Sequence, residues 1–214
     1  MIVRPEERRP IARLLSFLEQ GERMAHECAQ AQAALVDDPR QRRFLLSQAR
    51  QEAMHAWVFR GAIAWLCPRH LGEEPLLPAL ERYRVLVKEA LDRKDLAETL
   101  LAEQIVLEGL GEAILTRIEA GFVTRAAPFG PLRRVLLLQE AAHHAFGCRQ
   151  LERLVSGEQV SLEHLRRRVP EYLALTQEMV TTLADLFASI GEDAGAWAAD
   201  VAAFLPPWLA TVSR

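Results

Sequence analysis

Two five-residue words constrain this chain more than anything else in it. Gln51-Glu52-Ala53-Met54-His55 and Gln139-Glu140-Ala141-Ala142-His143 agree at four of five places. In each, a carboxylate and an imidazole stand at i and i+3, on one side of a helix. Both words lie on stripes that are otherwise largely apolar. The first stripe runs Leu45, Gln48, Glu52, His55, Phe59, Ala62 and Leu66; the second runs Leu132, Leu136, Glu140, His143, Gly147, Leu151 and Leu154. A fold that buries such stripes buries their charges too, and an ionised carboxylate buried without a partner costs several kcal/mol. The chain must therefore fold so that something neutralises both words.

The residues around the words supply the frame. Ala, Leu, Glu and Arg, all good helix formers, dominate the 214 residues. Apolar periodicity predicts a first helix from Ile11 to Val36, with Leu15, Leu18, Glu22, Ala25, Ala29 and Gln32 on its inner stripe. Asp38 and Pro39 supply a cap and a first-turn proline for a second helix ending at Leu66. A long connection follows, broken by Pro75 and Pro78 and filled by a short helix from Leu80 to Leu91. A third main helix runs from Leu96 to Phe122 or Thr124, with Leu101, Gln104, Glu108, Gly111, Leu115 and Ile118 inward. The loop Pro128-Phe129-Gly130-Pro131 leads into a fourth, ending near Val155. Beyond Gly157, a helix from Leu162 to Ile190, disturbed at Pro170, precedes a short one that stops at Pro206-Pro207.

The expectation is an all-α protein: two hairpins joined by a long crossover into a four-helix bundle, with extra C-terminal helices. One domain spans 1–214, its bundle core at about 11–155 and its C-terminal extension at about 158–214.

Hairpin geometry selects a carboxylate for each word. Glu22 and Glu52 each lie 15 residues from Asp37, and Glu108 and Glu140 each lie 16 from Thr124. Antiparallel helices with equal rise bring each pair level. Glu19, Glu27, Glu103 and Glu112 fit less well in height or stripe. Four carboxylates with no Lys or Arg on the inner stripes exceed what a domain stable by about 5–15 kcal/mol tolerates unpaired. Two divalent metal ions would cancel them, with His55 and His143 completing the coordination. Mixed oxygen and nitrogen donors suit iron or manganese better than a closed zinc site.

Glu22, Glu52-x-x-His55, Glu108 and Glu140-x-x-His143 resemble the ligand set of the ferritin-like di-iron carboxylate superfamily. The resemblance covers about Ile11 to Val155. It implies those six residues as ligands of an Fe/Fe pair, with Fe/Mn or Mn/Mn as alternatives. It also implies activation of dioxygen or peroxide. Departures narrow the implied activity. Phe59 stands where a radical-forming tyrosine would follow the first word, and Gly111 and Glu112 stand where oxygenases carry a threonine. Rubrerythrins usually also bring a cysteine-ligated iron domain, and Cys28, Cys67 and Cys148 make no Cys-x-x-Cys pair from which to expect one here.

Around this set, Glu112 and His26 are candidate extra ligands, and Gln48 and Gln104 candidates for hydrogen-bonding the ligands. Gly109, Gly111 and Gly147, with Phe59, are candidates for shaping a pocket; close helix packing is the competing reading of the glycines. Arg166-Arg167-Arg168 reads as a solvated face. Trp197, Phe204 and Trp208 pack either on the bundle or on another subunit.

The expected function is an oxidoreductase in which a di-iron or Fe/Mn site activates O2 to oxidise a small organic substrate, with an external electron donor where one is needed. Iron handling or peroxide defence is the first alternative. A helical interaction module without metal is the second, and a homodimer is an open assembly state. Net charge of −3 gives no electrostatic case for nucleic acid. No apolar run reaches membrane-spanning length. Three scattered cysteines, Cys28, Cys67 and Cys148, and a charged N-terminus fit a cytoplasmic protein.

Overall fold

A computed structural model describes residues 3–71, 77–124, 130–189, 193, 195–197 and 203–209, and among these there are helices and turns but no strand. Helix α1 spans Arg8–Leu35 and α2 spans Pro39–Leu66. The first helix begins before its predicted start because a 3-10 turn at Pro5–Glu7 feeds directly into it. Asp38 caps α2 as predicted: its Oδ1 accepts from the backbone N–H of Arg40 at 2.6 Å and of Gln41 at 3.3 Å.

The crossover contains α3, Pro78–Asp92, which presses Leu80, Tyr83 and Val87 into the core. This gives α1 a second buried face that its single predicted stripe did not foresee. Leu14, Phe17, Met24 and Cys28 join the same core cluster as α3. Each such side chain, fully buried, contributes about 1.5–3 kcal/mol. Lys94, in the left-handed region at φ 57°, turns the chain, and the Asp95 carboxylate caps the next element.

That element is the predicted third main helix, but its winding changes along its length. α4, Leu96–Leu100, runs into a π-helical segment, Leu101–Leu107, and then into α5, Glu108–Thr124. Within the π segment the Glu108 N–H reaches back five residues to the Glu103 carbonyl. The predicted inward side chains of Ile118 and Phe122 lie outside the described residues, as do residues 128 and 129 of the loop, while Gly130 and Pro131 open the next helix. α6 spans Gly130–Ser156 and packs on α5 and the π segment.

The C-terminal region differs from the expectation. α7, Leu162–Thr182, carries Pro170 within it and breaks instead at Leu183, before α8, Ala184–Ser189. Pro170 stands on the exposed side, where water can satisfy the carbonyl it leaves unpaired. The arginine triplet is not one solvated face. Arg168 pairs with the fully buried Glu98 at 2.7 Å, and Arg166 donates to the Trp208 carbonyl at 2.7 Å. Only Arg167, paired with Glu163, stays in water. Trp197 packs on Phe187 with ring centroids 4.3 Å apart, so this aromatic belongs to the chain's own core. Residues 192, 194 and 198–202 of the predicted last helix lie outside the described residues. Among the described residues no helix is long and apolar enough to cross a membrane.

Candidate metal centre

α1, α2, α5 and α6 each send side chains to one place in the interior. Glu22 comes from α1, Glu52 and His55 from α2, Glu108 from the start of α5, and Glu140 and His143 from α6; all six are buried. Glu22, Glu52, His55 and Glu140 form one group, and Glu52, Glu108 and His143 a second, each with ligand atoms within 4.8 Å of one another. Glu52 belongs to both, so the two groups are contiguous. Either could hold a metal ion.

His55 Nδ1 lies 3.0 Å from Glu52 Oε2, 3.0 Å from Glu140 Oε1 and 3.4 Å from Glu22 Oε2. His143 Nδ1 lies 2.8 Å from Glu52 Oε1 and 3.5 Å from Glu108 Oε1. Despite this crowding, both Nδ1 atoms, both Glu52 oxygens and Glu140 Oε1 are buried without a hydrogen-bond partner among the described residues. Buried polar atoms are rarely left so. Neighbouring donors on an octahedron with bonds near 2.1 Å stand about 3 Å apart, which is the spacing found. The donor set therefore fits divalent cations.

The opposite edge of each imidazole is fixed. His55 Nε2–H donates to Gln139 Oε1 at 2.8 Å, and His143 Nε2–H donates to Gln51 Oε1 at 2.7 Å. Each glutamine opens its own repeated word and serves the histidine of the other word. Holding the proton at Nε2 leaves Nδ1 free as a ligand atom. The sequence contained the signal, since the glutamine repeats along with the glutamate and histidine, but stripe reasoning placed it off the inner face.

Gln48 takes its expected part: its amide donates to Glu108 Oε1 at 2.7 Å. Gln104 stands one step further out. It exchanges hydrogen bonds with Gln32, at 2.6 and 2.9 Å, and donates to Gln48 Oε1 at 3.3 Å. His26 belongs to neither ligand group, and its Nδ1–H donates to the Ala49 carbonyl at 2.6 Å. His144 is likewise turned away, bonded to the Phe204 carbonyl at 3.0 Å. Glu19 pairs with Arg23 at 2.7 Å and Arg60 at 3.5 Å, which separates it from Glu22. Glu112 is half-buried beside Glu140 and belongs to neither ligand group.

Glu103, set aside on helical spacing, is the residue that stripe reasoning missed. It is buried, Oε1 receives a long bond from Gln48 at 3.4 Å, and Oε2 has no partner among the described residues. An ideal α-helix would turn positions 103 and 108 well apart. The π turn instead stacks them on one face, and nothing in the residue pattern announced that winding.

The glycines divide. A Cβ at Gly111 would lie 3.4 Å from Glu140 Oε2, so this glycine borders the carboxylates. At Gly147 a Cβ would come within 2.4 Å of the Gln104 Cβ, and at Gly109 within 2.9 Å of the Phe204 Cβ. Those two serve close packing rather than a pocket. Phe59 is core.

Charge follows geometry. Burial pushes Glu22 and Glu108 well above the usual carboxylate range, and repulsion from Glu140 adds to it. Burial and the Glu52 charge raise Glu103 likewise. Burial also works against an ionised Glu52, but His143 and His55 overcome it and hold Glu52 well below the usual range. His55 is raised far above an ordinary imidazole, because Glu140, Glu22 and Glu52 outweigh its burial. Without a cation, the cluster thus retains protons in a metal's place.

A pocket opens on the carboxylate side, where Glu22, Glu108 and Glu140 meet Phe17, Leu18, Leu80, Leu110, Ile114 and Gly111. No protein-family model matches the sequence, and no curated protein shows significant similarity to it.

Proposed function

We propose that this chain is a ferritin-like di-metal carboxylate oxidoreductase that uses O2 to oxidise a small organic substrate. The observation that carries the reading is the convergence of Nδ1 of His55 and of His143 with the oxygens of Glu22, Glu52, Glu108 and Glu140, several of them buried and unpartnered. Glu22, Glu52, His55 and Glu140 would hold one ion, and Glu52, Glu108 and His143 the other. Iron is favoured by the mixed oxygen and nitrogen donors, with Fe/Mn as the variant. Two such ions, when bound, supply the electrons and open positions that dioxygen chemistry requires.

The chain's own residues supply the rest. Gln51 and Gln139 fix the ring orientations. Glu103, raised by burial and the Glu52 charge and outside both ligand groups, holds a proton close to the reacting centre. Phe17, Leu18, Leu110 and Ile114 keep water sparse and favour an uncharged, apolar substrate, while Gly111 keeps the wall open beside Glu140. An external donor would supply any electrons the substrate does not.

Peroxide removal is the second reading. The resemblance to rubrerythrins, which carry extra acidic residues in this region, favours it through Glu112, half-buried beside Glu140. The test is anaerobic loading with Fe(II), then exposure to air or peroxide. Two irons per chain, oxidised by air with ferric absorption in the near ultraviolet, are expected. Faster oxidation by peroxide, with no organic substrate consumed, would favour the second reading. Failure to bind iron would sink both.

A further inference from the structure

We propose that the outward face of α2 is the two-fold interface of a homodimer, with the two copies of α2 crossing antiparallel at Gly61. The face carries apolar bulk that the protomer leaves in water. Trp57 is 75% exposed and Trp65 72%, with Met54 and Leu46 on the same side of the helix. The hydrogen bonds from His143 to Gln51 and from His55 to Gln139 set α6 antiparallel beside α2. In that register Leu132, Val135 and Leu138, all exposed, lie level with the stretch from Ala56 to Ala62 and extend the patch. The accessible area of these side chains is of the same order as the ~800 Å² each partner gives to a stable complex.

The composition fits a protein partner. Tryptophan, methionine and arginine are enriched at interface cores, and lysine, glutamate and aspartate are depleted. Between Pro39 and Leu66 the only acidic residue is the buried Glu52; Arg43 and Arg50 precede the tryptophans on the exposed side, and Arg60, between them, pairs with Glu19 at 3.5 Å. The arrangement fits a second copy in particular. Trp57, Gly61 and Trp65 form one row at i, i+4 and i+8, a ridge with a notch at its centre. Nothing lies within 4 Å of a Cβ built on Gly61. Rows of this spacing interdigitate in the commonest helix-packing class. A two-fold axis at the notch lets the backbones approach there and sets Trp57 beside Trp65 of the partner subunit. Arg43 and Arg50 then fall away from the axis and do not face their own copies.

The test uses light scattering and sedimentation on the full chain at 1–100 µM, in metal-free and metal-loaded form. The expected mass is twice the 24.1 kDa of one chain. Trp57→Ala with Trp65→Ala should weaken self-association at least about 30-fold, the scale of hot-spot residues. Gly61→Glu fits the open space of the protomer yet places two charges on the axis. It should give a monomer with unchanged helical content and unchanged metal stoichiometry. With Cys67 and Cys148 changed to serine, Gly61→Cys should form an intersubunit disulfide on oxidation, and Arg43→Cys should not. A monomer at 100 µM overturns the proposal, whether or not it binds vesicles of anionic phospholipid or an acidic protein. So does a dimer that survives Gly61→Glu.

Discussion

Gln139 touches no candidate ligand atom, yet it decides which nitrogen of His55 points into the cluster. Replacing it with leucine, close in volume, leaves the ring free to turn and Nε2–H unsatisfied. Gln139→Leu should lower metal affinity about 10–100-fold, the usual cost of losing a partner behind a ligating histidine. Competition titration with Co(II) and a chelator would measure it, and Gln51→Leu should behave alike. Equal affinity in both variants would mean that the glutamines do not hold the rings. Glu103 is the other lesson at this scale. Its neighbours in sequence, Ala102 and Gln104, are also buried, so the residue pattern gave no reason to single it out.

At the level of helices, the long apolar stripes were legible because α1, α2 and α6 follow the 3.6-residue period they displayed. Glu22 and Glu52 meet, as do Glu108 and Glu140, because equal counts from a turn mean equal height in antiparallel helices. The π segment was not legible: seven consecutive buried residues, Leu101–Leu107, carry no alternation from which to read a winding. The anchoring of α7 was hidden for a related reason, since an arginine triplet looks the same in sequence whether or not one member turns inward. Arg168 is that member. Its guanidinium and the Tyr172 hydroxyl, at 2.8 Å, hold the buried Glu98 carboxylate at the foot of the helix that leads to the centre. Arg168→Ala should cost about 1–2 kcal/mol in urea unfolding, the scale of one charge-assisted hydrogen bond, because Arg93 at 2.9 Å and Tyr172 still hold Glu98. Metal stoichiometry should stay at two, because the pair anchors the helix and contributes no ligand.

For the molecule as a whole, the retained protons predict an unusual pH dependence of the metal-free form. Glu22, Glu103 and Glu108 are raised, so above the ordinary carboxylate pKa the unfolded chain has released protons that the folded chain keeps. His55, also raised, adds to this once pH passes the ordinary imidazole value. Each such group lowers stability by up to about 1.4 kcal/mol per pH unit. Glu52 acts oppositely, but only below the ordinary carboxylate range. The metal-free protein should therefore be most stable near pH 5 and lose Tm from there to pH 8. Ions displace the protons of the ligands Glu22, Glu108 and His55, so the loaded protein should show a flatter profile, and loading should release protons into a weakly buffered solution. Scanning calorimetry of both forms across this range checks the sign, and a metal-free Tm that rises toward pH 8 would contradict it.

The crossed bonds between Gln51 and His143, and between Gln139 and His55, bear on how the molecule comes together. Each hairpin brings an imidazole whose Nε2 edge is held by a glutamine of the other, so neither half of the chain finishes its own share of the centre alone. The ligand set with both rings fixed is complete only when the two halves dock.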